Sequence, residues 1–462
     1  MEATVSDERP APEGPATFRD VFGQAEFRAL FTATALSWIG DYVAKAAVAV
    51  LVYRETESVA LSAAAFAASY LPWLIGGPLL ATIAERHRYR EVMAVCDLIR
   101  MALMVLVALP WMPTWAIFVL IFAATLANPP SQAARSAVLP QILHGDRLVV
   151  GLSLQATAGQ AAQVLGYLLG GVTAAFSPAA ALLLNAATFA VSALLVRFGL
   201  RDRPPAMRAA HRSHLLRETG QGFQIVFGQP VLRAIAVLVF SSALFSIVPE
   251  GLAAAWAAER RGDLAGGTAQ AIIMAANPVG YVVGGLVVAR LFSPARRLAL
   301  MRPLAVLAPA MLVPALLDPS PLVVALLAAA CGFAVAGLVP AANGLFVQAL
   351  PDSYRARAFG VMATGMQLIQ GFAVLVTGAL GERFSIPLVV GLWSAAGVVL
   401  MLVAALSWPD GRQVDAAVEA AQRANDPATP DEPPRRFAGR AGAPVAGGEQ
   451  STEHGRHRHA VT

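Results

Sequence analysis

The segment that most constrains this chain is Thr34-Ala-Leu-Ser-Trp-Ile-Gly-Asp-Tyr-Val-Ala-Lys45, which lies inside an apolar run from Phe27 to Tyr53. A helix over this segment carries four side chains on one face, at i, i+3, i+4 and i+7: Trp38, Asp41, Tyr42 and Lys45. Lys45 is the only lysine of the chain. One charge at the centre of a membrane helix costs about 2.5–3.5 kcal/mol, so we expect this face to point into a bundle interior or a water-filled cavity.

The composition is typical of a membrane protein with many spans. Of the 462 residues, 57% are hydrophobic and only 14% are charged, whereas soluble domains have about 25% charged residues. Cys96 and Cys331 fall inside apolar runs, so the sequence predicts no disulfide, no metal cluster and no cofactor. Residues 1–20 lack the pattern of a cleavable signal, so we expect the first span to direct membrane insertion.

Twelve apolar runs have close to the ~20 residues that a helix needs to cross a bilayer. We expect spans at 28–53, 59–84, 91–109, 115–135, 148–172, 178–198, 231–256, 266–290, 298–317, 320–347, 356–381 and 385–407. Proline clusters at 110–114 and 318–321 predict tight turns between neighbouring spans.

The arginines are distributed unevenly between the connections. Alternate connections, beginning with 85–91, hold seventeen arginines, including Arg135 and Arg147, whereas the other connections hold four. Basic residues concentrate on the cytoplasmic side of membrane proteins. We therefore expect a multi-pass protein of the cytoplasmic membrane with both termini in the cytoplasm. The same arginines meet the anionic lipid leaflet, so the net charge of +5 requires no nucleic-acid partner.

The chain contains a weak internal repeat. Arg86 and Arg297, like Pro140 and Pro351, are separated by 211 residues, which predicts two six-span halves in parallel orientation. We accordingly expect a cytoplasmic tail over 1–26, an N-terminal bundle over 27–198, a cytoplasmic linker over 199–230, a C-terminal bundle over 231–407 and a disordered cytoplasmic tail over 408–462.

Several motifs follow one another in the order of a known family. Ser37-Trp-Ile-Gly-Asp41 and Leu71-Pro72 lie in the first two spans, Gly77-Pro-Leu-Leu-Ala-Thr-Ile-Ala-Glu-Arg86 ends the second, and Leu139-Pro140 ends the fourth. Over about residues 27–407 the chain resembles the major facilitator superfamily, and within it the twelve-span bacterial exporters of siderophores and macrolides. It departs from the pattern where Glu85 replaces an aspartate and where Tyr167 replaces an antiporter proline. The resemblance implies an all-α membrane protein with a major facilitator-like fold, in which twelve transmembrane helices form two six-helix bundles around a central cavity.

Three groups of candidate functional residues follow from the pattern and the resemblance. We expect Asp41 and Lys45 to couple transport to protons, the alternative being a static ion pair. We expect a substrate cavity lined by Trp38, Tyr42, Gln160, Gln163, Asn277, Gln367 and Gln370, although packing and interhelical hydrogen bonds explain the same residues. The resemblance implies a cytoplasmic gate of Glu85, Arg86, Asp97 and Arg100.

Two further expectations concern single positions in the second half. Asn277-Pro278 should break the eighth span locally. Glu250 lies towards the outer end of the seventh span, where surface exposure is the simplest expectation, the alternatives being a second titrating acid or an outer gate.

The absence of a P-loop, a metal-ligand cluster and a nucleophile-elbow motif argues against an enzyme. With the resemblance, the prediction is a secondary active transporter: a monomeric, proton-coupled exporter (antiporter) of small amphipathic organic molecules such as drugs, siderophores or secondary metabolites. Its partners are the solute, protons and the lipid bilayer. The alternatives are an uncoupled facilitator or importer, and a membrane sensor or scaffold that recruits partners through its C-terminal tail.

Overall fold

A computed structural model describes residues 17–72, 87–203, 215–259 and 266–425. Apart from turns and short 3₁₀ segments, the described residues form helices. These are α1 (Phe18–Phe22), α2 (Ala25–Thr56), α3 (Val59–Ala67), α4 (Tyr89–Val107), α5 (Thr114–Leu126), α6 (Asn128–Ile142), α7 (Asp146–Phe176), α8 (Pro178–Gly199), α9 (Leu215–Gly228), α10 (Pro230–Ser246), α11 (Val248–Glu259), α12 (Gly266–Leu291), α13 (Pro294–Ala310), α14 (Pro321–Gln348), α15 (Arg355–Gly381), α16 (Ile386–Leu406) and α17 (Gly411–Asn425). The all-α prediction is confirmed.

Ten helical segments of the described residues are long and apolar enough to cross a membrane. They match ten of the twelve predicted spans, with α5 and α6 together forming the fourth and α10 and α11 the seventh. The predicted second span falls partly on residues 73–86, which lie outside the described residues. The third, α4, is as long as a span but carries Arg90, Glu91, Asp97 and Arg100, which lower its hydropathy.

Prolines and hydroxyl caps explain where many of the helices begin. Proline is the first residue of α8, α10, α13 and α14, where its missing N–H would be unpaired in any case. Ser58 caps α3 by accepting a hydrogen bond from the backbone N of Leu61 at 3.1 Å. Ser177 caps α8 in the same way through the backbone N of Ala180 at 3.2 Å. The turns between spans are therefore determined locally.

Two spans are interrupted near their middle, and both interruptions occur at prolines. The fourth span changes from α5 to α6 at Ala127, directly before Asn128-Pro129-Pro130. The seventh changes from α10 to α11 at Ile247, directly before Val248-Pro249. Proline cannot donate a backbone hydrogen bond and its ring clashes with the preceding turn. Each interruption therefore places polar residues at the start of a new helix inside the membrane.

The predicted break at Asn277-Pro278 is wrong, because α12 continues through Pro278 without interruption. The neighbouring helix α14 packs tightly along this part of α12. A Cβ on Gly332 would lie 2.1 Å from the carbonyl oxygen of Asn277, and one on Gly280 would lie 1.9 Å from that of Ala329. Neighbouring helices commonly support a proline-containing membrane helix in this way.

The helices form an N-half, α2 to α8, and a C-half, α10 to α16. Within the N-half, α2 packs on α7 and α8, and within the C-half, α12 packs on α14. Between the halves, the principal contacts of the described residues join α7 to α12 and α3 to α15. The Glu382 carboxylate after α15 accepts hydrogen bonds from the backbone N of Ala60 at 2.9 Å and from Ser58 Oγ at 3.0 Å.

These contacts between the halves lie at one end of the bundle. We call it the distal end; it carries the turns at 57–58, 108–113 and 382–385. Gly171 on α7 meets Ala271 on α12 there, and Gly378 on α15 meets the Cβ of Ala63 on α3. Glycine allows these helix backbones to approach closely. Among the described residues, the two halves are thus closed against each other at the distal end.

The opposite end, the proximal end, carries the described ends of the chain. Glu26 at the start of α2 forms an ion pair with Arg203 and accepts a hydrogen bond from the backbone N of Arg201 at 2.9 Å. The hydrogen bond to Glu26 raises the pKa of the Arg203 guanidinium. Asp202 forms an ion pair with Arg88 before α4. These charges join three helices of the N-half.

The start of the C-terminal tail is ordered, so the prediction of disorder over 408–462 is wrong for residues 411–425. These residues form α17, which packs on α10 and α14. Ala417 and Ala421 are buried, because an apolar stripe recurs at helical spacing among charged residues. Asp410 caps the helix by accepting a hydrogen bond from the backbone N of Gln413 at 2.8 Å. The rest of the predicted tail lies outside the described residues.

Candidate functional site

A cavity of about 170 Å³ lies beside the middle of α2. Its lining combines charged, polar and aromatic side chains, including Trp38, Asp41, Tyr42, Lys45, Arg100, Asn128, Arg135, Asn185, Phe189 and Gln367. Nine of these belong to the N-half, and Gln367 on α15 belongs to the C-half. The predicted polar face of the first span therefore faces a cavity, as expected.

Four charged groups of the N-half form one network beside this cavity. Arg100 on α4 forms an ion pair with Asp41 on α2. The Asp97 Oδ1 atom lies 3.7 Å from a guanidinium nitrogen of Arg100 and 3.7 Å from one of Arg135. Three of the four side chains are almost fully buried, and only Asp41 is 25% exposed. Two carboxylates balance two guanidiniums, which is what stabilises buried charge in a low-dielectric interior.

Hydroxyl groups and an aromatic ring complete this network. Ser37 Oγ accepts hydrogen bonds from Arg100 at 3.3 Å and from Arg135 at 3.2 Å. Ser192 Oγ donates a hydrogen bond to Asp97 at 2.6 Å. The guanidinium carbon of Arg100 lies 4.0 Å from the centroid of the Phe189 ring. These contacts fix the orientation of the Arg100 guanidinium, and its ion pair with Asp41 lines the cavity.

Lys45 contacts aromatic rings instead of a carboxylate. Its Nζ atom lies 4.3 Å from the centroid of the Tyr70 ring and 5.2 Å from that of Tyr42. Asp41 and Glu250 are both within electrostatic range of the ammonium, yet neither forms an ion pair with it within 4 Å in the described part of the chain. The alternative of a static ion pair between Asp41 and Lys45 is therefore contradicted, because Arg100 from a neighbouring helix engages Asp41; the role of Asp41 and Lys45 in proton coupling stays a prediction.

Glu250 is buried, which corrects the expectation of surface exposure. Only 4% of the residue is accessible. It lies in the first turn of α11, directly after the proline that interrupts the seventh span. Its carboxylate accepts a hydrogen bond from the Tyr167 hydroxyl at 2.9 Å. This bond joins the two halves, because Tyr167 belongs to α7 and Glu250 to α11.

The structure brings only part of the predicted substrate-cavity set together. Trp38, Tyr42 and Gln367 line the main cavity, while Gln160 lines a neighbouring pocket that also includes Trp38 and Tyr42. The other three candidates, Gln163, Asn277 and Gln370, line neither of these two cavities. For Asn277 the reason is the close packing of α12 on α14 at Gly332.

The predicted cytoplasmic gate is placed differently from the expectation. Glu85 and Arg86 lie outside the described residues. Asp97 and Arg100 lie near the middle of α4, which extends from Tyr89 to Val107, and they form part of the cavity network. Their role as a gate stays a prediction.

Sequence reasoning missed three residues of the site. Arg135 was counted as a loop arginine, but α6 extends to Ile142 and buries it beside Asp97. Glu250 and Tyr167 were recognised individually, but not as partners. The sequence does contain a signal for two of these residues. The prolines at 129–130 and 249 interrupt the fourth and seventh spans, shortly before Arg135 and Glu250. Metal ligation is not indicated, since no suitable cluster of His, Cys, Asp and Glu occurs in the described ranges.

Three comparisons with known proteins bear on this arrangement. The sequence profile described as Major Facilitator Superfamily matches residues 30–323 and 251–441. No curated protein is significantly similar in sequence, so the resemblance to a particular exporter group stays a prediction.

Solved transporter structures share the fold at low sequence identity. A point mutant of the nucleoside transporter NupG aligns with a TM-score of 0.68 and 15% identity, over 83% of this chain and 100% of that one. A POT family transporter in complex with 5-aminolevulinic acid aligns with a TM-score of 0.64 and 13% identity, over 84% of this chain and 96% of that one. A bacterial homolog of the human lysosomal transporter Spinster, inward-facing and unoccupied, aligns with a TM-score of 0.62 and 14% identity, over 87% of this chain and 99% of that one.

The profile covers more than half of the chain, and the fold is that of membrane transporters. The helical composition, the spans and the cavity at the first span agree with both findings. The chain therefore belongs to the Major Facilitator Superfamily and is a membrane transporter, not an enzyme.

Proposed function

We propose that this transporter is a proton-coupled exporter of small amphipathic organic molecules that works by alternating access. The observation that supports it best is the charged and aromatic cavity at the first span, which is lined by the N-half and by Gln367 of the C-half, in a molecule whose halves are closed against each other at the distal end. A carrier of this kind exposes one central site alternately to each side by rocking its two halves.

The side chains around the cavity suit an amphipathic solute. Trp38, Tyr42 and Phe189 offer aromatic faces, and the ion pair of Asp41 with Arg100 offers charge and hydrogen bonds. Aromatic faces and fixed charges together favour molecules with a flat apolar part and a polar or ionised part. A volume of about 170 Å³ is below the ~300–1,000 Å³ typical of sites for drug-sized ligands, so this conformation admits only a small part of such a molecule or a few waters.

The direction and sidedness of transport rest on the sequence. The proximal end carries ion-paired arginines such as Arg88 and Arg203, and we place it in the cytoplasm with both termini. The distal end then faces the exterior, so the described conformation is closed to the outside. Export follows the resemblance of the first two spans to bacterial exporters. We further propose that one chain suffices as the functional unit, because its own residues line the whole cavity.

Proton coupling is the most specific part of the proposal. Asp41 and Lys45 stay the predicted coupling residues, and because they have different partners their contributions can be measured separately. The flux test uses proteoliposomes with an acidic lumen and three probes: ethidium, erythromycin and enterobactin. Transporter molecules whose proximal end faces the outside of the vesicle should accumulate at least one probe in the lumen. A protonophore should abolish this accumulation.

A matched comparison with Asp41→Asn tests whether the cavity network takes part. We expect this variant to lose most gradient-driven accumulation, because asparagine cannot exchange a proton and Arg100 keeps only Asp97 as its counter-charge. Equal flux with and without the pH gradient would favour an uncoupled facilitator. Failure to move any probe under any gradient would favour a sensor or scaffold.

A further inference from the structure

Two helices present stripes of side chains to the main cavity. The stripe of α2 consists of Trp38, Asp41, Tyr42 and Lys45. On α6 a second stripe recurs at the same helical spacing and consists of Asn128, Ser131, Gln132 and Arg135. No aspartate or glutamate occurs in α6. The α6 wall of the cavity therefore offers amide, hydroxyl and guanidinium groups, and no carboxylate.

The charges in the cavity wall are unequal. Asp41 is the single carboxylate among the described lining residues, whereas Lys45, Arg100 and Arg135 contribute three cations. Asp97 is fully buried behind this wall, and its Oδ1 atom lies 3.7 Å from each of the two guanidiniums. Two aspartates thus balance two arginines, and the Lys45 ammonium is left as the surplus charge of the wall.

Aromatic rings surround the Lys45 ammonium, and no counter-charge adjoins it. None of its three N–H donors has an acceptor in the described part of the chain. The two described carboxylates within electrostatic range are engaged elsewhere: Asp41 by Arg100, and Glu250 by the Tyr167 hydroxyl. Glu250 also lies outside the cavity lining. An anion that enters the cavity therefore meets the ammonium without displacing a partner.

Ser131 gives a second, independent indication of a ligand. The residue is 2% exposed and lines the same cavity, yet its Oγ atom has no hydrogen-bond partner among the described residues. Buried hydroxyls are almost always hydrogen-bonded. An ionised carboxylate accepts hydrogen bonds at both of its oxygens. The ammonium and the hydroxyl therefore require the same kind of ligand atom, an oxygen acceptor.

We propose that the solute is an organic anion, specifically an aromatic carboxylate, whose carboxylate binds the Lys45 ammonium and which accepts a hydrogen bond from Ser131. The inference rests on the proposed function and names its solute class. Trp38 and Tyr42 line the cavity and offer aromatic faces to the ring of such a molecule. Lys45 is the recognition group because the two arginines are already engaged: their side chains are 3% and 7% exposed and contact aspartates and Ser37.

The sign of the surplus charge determines the selectivity of the cavity. An anion beside Lys45 neutralises the wall, whereas a cation adds to an excess of positive charge in a low-dielectric interior. A neutral molecule of the same shape gains neither the attraction nor the penalty. Affinity should therefore fall in the order anion, neutral molecule, cation. A cavity of about 170 Å³ calls for single-ring molecules as probes of this order.

The test uses three single-ring probes of nearly the same shape and different charge: the anion para-fluorobenzoate, the neutral para-fluorobenzamide and the cation para-fluorobenzamidine. Fluorine NMR measures their binding to the purified full-length protein in detergent at neutral pH, and displacement by fluorine-free benzoate separates site binding from uptake into the micelle. We expect the anion to bind about tenfold or more tightly than the neutral probe, as for one hydrogen bond to a charged group. The cation should bind most weakly. Equal affinities, or a preference for the cation, overturn the proposal.

Variants test which residues produce this order. Lys45→Gln should lower the affinity for the anion about tenfold or more, to that of the neutral probe. Ser131→Ala should lower the affinity for both probes by about two- to tenfold, the usual loss for a neutral hydrogen bond. Arg54→Gln is the matched control, because it removes one positive charge from the exposed distal end of the same helix; it should leave all three affinities unchanged.

Selectivity that survives Lys45→Gln, or that is lost in Arg54→Gln, overturns the assignment of Lys45. Unchanged affinities in Ser131→Ala overturn the assignment of Ser131. If Lys45→Gln does not fold, Lys45→Met, which keeps the aliphatic part of the side chain, replaces it with the same expected loss.

Failure of this inference is distinguishable from failure of the proposed function. The binding measurement involves no gradient, so loss of the expected affinity order refutes the solute class and leaves alternating access and proton coupling unaffected. If the anion binds selectively but no pH gradient drives any probe of the flux test across the membrane, the proposed coupling fails and the solute class stands.

Discussion

Substituting Gly171 by alanine should open the distal end of the molecule. A Cβ at this position would lie 2.7 Å from both the Cα and the Cβ of Ala271 on the other half. Ordinary contact begins near 3.4 Å, so α7 and α12 must separate by about 0.7 Å (3.4 − 2.7) to accept it. Overpacking of this size costs ~1–3 kcal/mol.

The whole of this cost applies to the distal-closed state, because Ala271 and Gly171 belong to different halves. A difference of ~1–3 kcal/mol changes the ratio of the two states by about 5–150-fold. Spin labels at Trp111→Cys in the N-half and Leu317→Cys in the C-half, positions that are 74% and 83% exposed, measure that ratio by pulsed electron paramagnetic resonance at constant pH, since the native cysteines are buried. We expect Gly171→Ala to raise the ratio of distal-open to distal-closed molecules by this factor.

The adjacent glycine supplies a matched control. A Cβ on Gly170 would lie 2.8 Å from the Cα of Val43, which belongs to the same half. Gly170→Ala should therefore lower thermal stability without changing the ratio of the two states. Gly285→Ala, with no atom within 4 Å of its added Cβ, should change neither. An unchanged distance distribution in Gly171→Ala would refute the assignment of this contact to state-dependent closure.

Two further predictions concern stability and the tail. Asp97→Asn should destabilise the N-half by ~3–5 kcal/mol, because it removes the buried carboxylate that pairs with Arg135 and leaves Arg100 with Asp41 as its counter-charge. A thermal unfolding shift in detergent measures this, and an unchanged midpoint would show that the network is not stabilising. Deleting 409–462 should cost ~2 kcal/mol by removing the apolar stripe of α17, yet leave probe flux intact; loss of flux would contradict this and show that transport requires the tail.

The parts of this protein that follow from local physics were predictable from the chain. A span needs about twenty apolar residues, so hydropathy located nine helices within four residues of their observed ends, and a tenth, Thr114–Ile142, whose predicted end at residue 135 is seven residues short. Helical spacing placed Trp38, Asp41, Tyr42 and Lys45 on one face, and the cost of charge in lipid predicted that this face would line a cavity. These inferences need only neighbours in sequence.

The choice of partners was decided by tertiary structure. Asp41 and Lys45 are one turn apart, but Arg100 arrives from another helix and engages Asp41, which leaves Lys45 beside tyrosines and near Glu250. Pro278 and Pro249 look alike in sequence, yet only Pro249 lies at an interruption, because close packing on α14 supports the helix around Pro278. Ion pairing and helix continuity depend on which side chains approach within a few ångströms, and that distance is set by the packing of helices far apart in the chain.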